Sequence, residues 1–208
     1  MTIALLADDT LKEEFLSKEI AEGVEIIWAD SIRSLQIIEA DIYFDLLFEY
    51  DRERIERLKK LLPAIVIVNA VALTTKDIGA DFIRINAWPT MLKREITEIA
   101  LPASIKEETA KSIFEQLNWK LQIVPDITGM VTPVIVAMII NEAWHTYGDE
   151  ISTKEEIDIA MKLGTNYPMG PFEWGEKIGL KNIIHLLTEL QRKNGRYSIA
   201  PALLYENT

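Results

Sequence analysis

Among side chains that could move a proton or hold a metal, the 208-residue chain has two histidines, His145 and His185, and no cysteine. Histidine is the side chain best matched to neutral-pH acid–base work and is a common metal ligand. Both histidines fall in C-terminal stretches with helical spacing, where each is expected on a helix face or in a core. A role for His145 as a general base is the less favoured alternative. Without cysteine there is no disulfide, thiolate metal site or thiol nucleophile, so redox chemistry would have to come from a cofactor. No metal site is expected. The acids Asp8, Asp9 and Asp30, taken with Trp88 and Met91, would favour a cationic or neutral small molecule if they lined a cleft. Trp88 and Met91 are equally expected as core. A formal charge of −11 argues against nucleic-acid or anionic-membrane partners, whose binding needs clustered Lys and Arg, and mildly disfavours polyanionic ligands.

These residues sit on a pattern with two halves. Short apolar runs at Ile3–Ala7, Val24–Ala29, Ile42–Phe48 and Ala64–Asn69 alternate with helically spaced stretches at Leu11–Ala21 and Asp51–Leu61, which predicts a parallel sheet covered by helices. Phe82–Ile85 and Leu121–Val124 read as further strands, with a helix over Lys106–Leu117 between them. Beyond Pro125 strand signals vanish. The expected organisation is therefore an α/β domain over 1–124 and an all-helical domain over 125–208. In the second, Pro133–Tyr147 reads as a helix apolar on nearly all sides, which predicts partner helices and a homodimer through this domain. Thr153 and Glu156 have capping-box spacing, Gly164 stands where that helix would close, and a third helix covers Asn182–Lys193. The longest apolar run, Val131–Ile140, is about half of the roughly 20 residues a membrane span needs. The early acids of Met1–Asp9 lead us to expect a cytoplasmic protein.

The helical half carries the most specific motifs: Asn141-Glu142-Ala143, then Ser152 to Gly164, then Tyr167-Pro168-Met169-Gly170-Pro171-Phe172-Glu173, continued by Ile178-Gly179-Leu180 and Pro201-Ala202-Leu203-Leu204. In the last turn, Gly170 is expected at positive φ and Pro171 at the first turn of the next helix. This constellation closely resembles the C-terminal domain of the 3-hydroxyacyl-CoA dehydrogenases. The resemblance implies a Rossmann-like domain followed by a helical one, and NAD-dependent oxidation of 3-hydroxyacyl-CoA to 3-oxoacyl-CoA in fatty acid metabolism. It also sets a register for the first half. Ala40-Asp41 through Glu49 resembles a family strand, Asn69 a conserved family turn, and Pro89 the segment that follows the catalytic histidine.

In that register the chain departs from the family at its chemistry. The three glycines of the phosphate loop correspond to Ala7, Asp9 and Lys12, while Asp30 stands where an acid would recognise the ribose. Like charges at about 4 Å repel by roughly 1–4 kcal/mol, so Asp9, with Asp8 beside it, opposes a diphosphate, and Lys12 offsets only part of this. The resemblance implies NAD as cofactor; the loop argues against its binding. The family's general base corresponds to Asn86, with Glu98 twelve residues on, or to Ile85 if the proline is aligned instead. Neither replacement is a base. The carbonyl-polarising Ser corresponds to Val71, and a further polar Asn to Pro133. Between Asp30 and Ala40 only Ser31–Glu39 remains of a longer helical excursion that helps to hold CoA, which argues against acyl-CoA as well. The two readings are a dehydrogenase relative with weak or lost catalysis, and a non-catalytic dimeric regulatory or small-molecule-binding protein.

Overall fold

A computed structural model describes residues 1–195 and 198–206. The chain divides into two compact units, Met1–Met130 and Val131–Thr208.

The first unit is built on a seven-stranded sheet of β1 (Thr2–Leu6), β2 (Glu25–Ala29), β3 (Ile42–Asp45), β4 (Ile65–Val68), β5 (Ile83–Ile85), β6 (Ile96–Ala100) and β7 (Lys120–Val124), in the order β2-β1-β3-β4-β5-β6-β7. Neighbours pair in parallel except β5 and β6. Side chains alternate across each strand, so one apolar run feeds two cores. Ile3, Leu5, Ile42, Phe44 and Ile67 pack on one side with Leu11 and Phe15 of α1 (Asp9–Leu16) and Ala110 and Phe114 of α5 (Glu107–Gln116). Ala4, Leu6, Tyr43, Val66 and Val68 pack on the other with residues of α2 (Ile32–Ile37), α3 (Arg52–Lys59) and α4 (Thr75–Ile78). Phe15 anchors the first core, edge-on to Phe44 at 5.6 Å and to Trp119 at 4.9 Å between ring centroids.

Two elements go beyond the sequence reading. Strand β6 was not anticipated, because Thr97 and Glu98 are polar yet buried within it. Helix α2 occupies the short Asp30–Ala40 connection, started by a reciprocal Ser31–Ser34 capping box. The stretch 125–130, read from sequence as part of the second domain, is bonded into the first unit: Asp126 accepts from Thr75, and the Gly129 N–H donates to the Val71 carbonyl at 2.9 Å.

The second unit is helical: α6 (Thr132–Gly148), α7 (Lys154–Thr165), α8 (Pro171–Ile178), α9 (Leu180–Lys193) and α10 (Pro201–Glu206). The Thr153–Glu156 capping box opens α7. Gly164 lies within α7, and Asn166, at φ 57°, closes it instead. Gly170 has an ordinary φ of −71°, contrary to the positive value expected. Its need for glycine is steric, since a Cβ there would stand 2.2 Å from Cγ of the Asp158 carboxylate. That carboxylate accepts the Phe172 and Glu173 N–H groups at 2.8 and 3.1 Å, so α7 caps the start of α8. No helix among the described residues is long and apolar enough to cross a membrane.

Candidate functional site

In open α/β sheets, ligands sit at the carboxyl ends of the strands, and the site residues read from sequence gather there. Leu6 of β1 pairs with Ala29 of β2 and Asp45 of β3, so the turn after β1 lies between Asp30 and the end of β3. That turn is two residues long, Ala7-Asp8, and Ala7 is buried. A helix start leaves N–H groups without internal partners, which makes it an anion site. Here the anion is built in: the Asp8 carboxylate accepts the Leu11 N–H at 2.8 Å, and the Asp8 carbonyl accepts the Lys12 N–H at 2.9 Å. Asp9 is the first helical residue, its side chain fully exposed and 3.8 Å from the Lys12 ammonium. The Lys12 ammonium lies 5.7 Å above the Trp28 ring. The sequence reading gave Asp9 the leading role in opposing a diphosphate, whereas Asp8 is the side chain that takes up a helix N–H. Asp30 is exposed at the end of β2, its N–H donating to Ser34 Oγ at 3.0 Å.

Further along the same edge, the strand ends are tied to one another. Asp45 is fully buried and held by the Arg54 guanidinium at 2.7 and 2.5 Å. Burial pushes its carboxyl above the usual carboxylate range, outweighing the Arg54 contacts that pull it down. Asn69 donates to the Leu46 and Ala87 carbonyls and accepts the Ala87 N–H at 3.1 Å, joining the exits of β3, β4 and β5. Arg84, also fully buried, donates to the Ala70 and Val71 carbonyls at 2.9 Å and to Asp126 at 2.5 Å. The Val71 carbonyl oxygen, which also accepts the Gly129 N–H, therefore serves as an internal anchor.

The β5–β6 pairing brings Asn86 and Glu98 together. The Asn86 N–H donates to the Glu98 carbonyl at 2.9 Å, and its side-chain amide lies 3.4 Å from Glu98 Oε2. Both residues are buried, and Asn86 Oδ1 has no hydrogen-bond partner. Ile85, the alternative occupant, is fully buried opposite Ile99. The Asn86 amide has no basic lone pair, so it can orient a group but cannot serve as a general base. Trp88 and Met91 are buried in the core, which removes the aromatic wall imagined for a cationic ligand. Glu14, which the sequence did not single out, is buried on α1 and accepts the Thr90 and Lys93 N–H groups, pinning the loop after Asn86. An acid at the sixth position of α1, beside the exposed Glu13, gave no signal of that contact.

In the second unit, Asn141 donates to the Ser198 carbonyl at 2.8 Å and accepts the Ala200 N–H at 2.9 Å, and His145, one turn on, lies 3.4 Å from the Ser198 carbonyl. His185 is exposed on α9. Pro133 lies in the first turn of α6. Among the described residues no group of three or more His, Asp or Glu is placed to hold a metal ion.

The model of the 3-hydroxyacyl-CoA dehydrogenase C-terminal domain matches residues 129–208. The chain is 33% identical over 139 residues to the 3-hydroxybutyryl-CoA dehydrogenase of Clostridioides difficile, covering 66% of this chain and 49% of that protein. It is 37% identical over 117 residues to the 3-hydroxyadipyl-CoA dehydrogenase of Escherichia coli K12, covering 55% of this chain and 24% of that protein. The second unit thus carries the C-terminal domain of the 3-hydroxyacyl-CoA dehydrogenases, and the curated relatives the chain is similar to bear the names of such enzymes. The chain spans about half or less of the length of these curated relatives. The crystal structure of (S)-3-hydroxybutyryl-CoA dehydrogenase from Ralstonia eutropha matches 98% of this chain and 92% of that one with a TM-score of 0.73 at 19% identity, a likeness of fold. The match to the family model falls entirely within residues 129–208, so it covers the second unit and stops short of the strand ends of the first.

Proposed function

We propose that this chain is a family member with weak or lost NAD-dependent dehydrogenase activity that works as a dimeric binding or regulatory protein on the inherited scaffold. The observation that carries the reading is the Asp8 carboxylate seated on the Leu11 N–H at the start of α1. A dinucleotide diphosphate needs those N–H groups and a turn without side chains. The residues present do not fit it: one donor is already taken by an anion, Ala7 and Asp8 put side chains in the turn, and the first helical residue, Asp9, is a second acid. NAD would have to displace a carboxylate and approach another.

The second support is Asn86. A dehydrogenase of this kind needs a group that accepts the 3-hydroxyl proton as hydride leaves. Asn86 stands beside Glu98 in the registered place and has no basic lone pair to offer. Loss of the excursion before Ala40 takes away a contact that would hold an acyl-CoA, so neither the cofactor nor the carrier is well provided for. A homodimer through the second unit and a cytoplasmic location belong to the same reading; the first rests on exposed Ile135, Ile159 and Leu163, and the second on the cysteine-free composition.

The test is to mix the purified protein with NADH and acetoacetyl-CoA and follow absorbance at the nicotinamide band. No turnover above buffer is expected. Turnover that is abolished by Glu98→Gln would show that the inherited pair still carries out the family reaction.

A further inference from the structure

At the end of α1 remote from the Asp8 turn, the first unit has a cavity of about 520 Å³ between Ser17–Glu19, the 93–95 loop and the turn that leads from α5 into β7. Its size is in the range of small-molecule sites. Four cations line it, Lys18, Lys93, Arg94 and Lys120, in a chain whose net charge is −11. Lys120 is taken up by Glu95. Lys18 is not matched in this way. Its ammonium donates to the Arg94 carbonyl at 2.7 Å and lies 4.8 Å above the Trp119 ring, and among the described residues it has no carboxylate within ion-pair distance. The ring and the carbonyl fix its position from two sides. Lys93, exposed at the rim, spends its backbone N–H on Glu14.

A half-buried, positioned ammonium with no counterion among the described residues gains more from an arriving anion than a fully solvated surface lysine does, because the dielectric around it is lower. Burial also holds the Lys18 pKa below the usual lysine value, the direction an uncompensated ammonium takes. We infer that this cavity is a binding site for a small oxyanion, a phosphate or carboxylate group, received by Lys18 with Lys93 at its mouth. Glu19 and Glu115 at the margin limit the site to a compact group and disfavour an extended polyanion.

The experiment is calorimetric titration of the full chain at low ionic strength with inorganic phosphate and, in parallel, citrate, accompanied by NMR of lysine side chains. Saturable millimolar or tighter binding of at least one is expected, with the Lys18 ammonium pKa rising on saturation. Lys18→Met, which keeps the aliphatic stem over Trp119, should weaken binding at least about tenfold, and Lys93→Met by a smaller factor. Lys181→Met, on α9, should leave it unchanged. The tighter of the two probes identifies the headgroup. Absence of saturable binding by both, or affinity unchanged in both Lys18→Met and Lys93→Met, would overturn the inference.

Discussion

At the residue scale, the chemistry of the inherited edge is decided by carboxylates that serve the protein itself. Asp8 caps α1, so Asp8→Ala should cost about 1 kcal/mol in a denaturant melt, the usual worth of such a cap. Asp45 gives a pH signature. Its carboxyl is raised in the folded state, so the stability linked to it is complete below the unfolded carboxylate pKa of about 3.9 and declines as pH rises through the higher folded value. Arg54→Met removes the partner of a fully buried charge and should destabilise by about 3–5 kcal/mol at neutral pH. That penalty should shrink as pH falls below about 4, where Asp45 is protonated folded and unfolded alike. A penalty independent of pH would mean that Arg54 acts through packing alone. Asp9 and Lys12 lie in the first turns of α1, after the two-residue turn that follows β1, and the sequence could not say which acid would fold back on the helix. Capping depends on ψ near 180° at Asp8, which the backbone alone reveals.

At the scale of elements, the strands of the first unit were legible because buried parallel strands are continuous apolar runs. Strand β6 escaped for the opposite reason: Thr97 and Glu98 break the run, and their burial depends on β5 and β7 on either side. With β6 went the means to see that Asn86 and Glu98 meet; their twelve-residue spacing was visible only through the family. In the second unit the capping box of α7 could be read from Thr153 and Glu156, whereas the reason for Gly170 could not, since it lies in Asp158 twelve positions earlier. Gly170→Ala should cost about 3 kcal/mol through overpacking and loss of the Asp158 cap. The double variant Asp158→Ala with Gly170→Ala should cost less than the sum of the two, measured by chemical denaturation, because the clash and the cap share one side chain. Lys154 joins α7 to its neighbours in another way. Its ammonium lies 4.3 Å from the Trp144 ring, 5.0 Å from Tyr147 and 5.8 Å from Phe172, and pairs with Glu206 of α10 at 2.8 Å. Lys154→Met is expected to lose about 1–2 kcal/mol, most of it from the rings.

At the scale of the whole molecule, two units of different architecture share one chain. The helical unit keeps the family's motifs because they set its packing: Asn141 holds 198–200, Asp158 starts α8, and Gly170 makes room for it. In the sheet unit the strand ends are tied to one another by Asp45–Arg54, Asn69 and Arg84, and the proposed change of loop and base rests on Asp8 and Asn86. The apolar helix α6 is covered within the chain more fully than its composition implied, with Val136, Ala137 and Ile140 buried and Ile135 left 55% exposed. The leftover apolar surface continues on α7, where Ile159 is 52% and Leu163 83% exposed. A second copy of the chain is the proposed cover, so sedimentation should give a dimer that Leu163→Glu converts to monomer. The central claim, that the start of α1 no longer receives a dinucleotide, is tested most directly by titrating NADH into the wild-type protein by calorimetry. No saturable binding at submillimolar NADH is predicted; micromolar binding that weakens when Leu11 and Lys12 at the start of α1 are perturbed would contradict it.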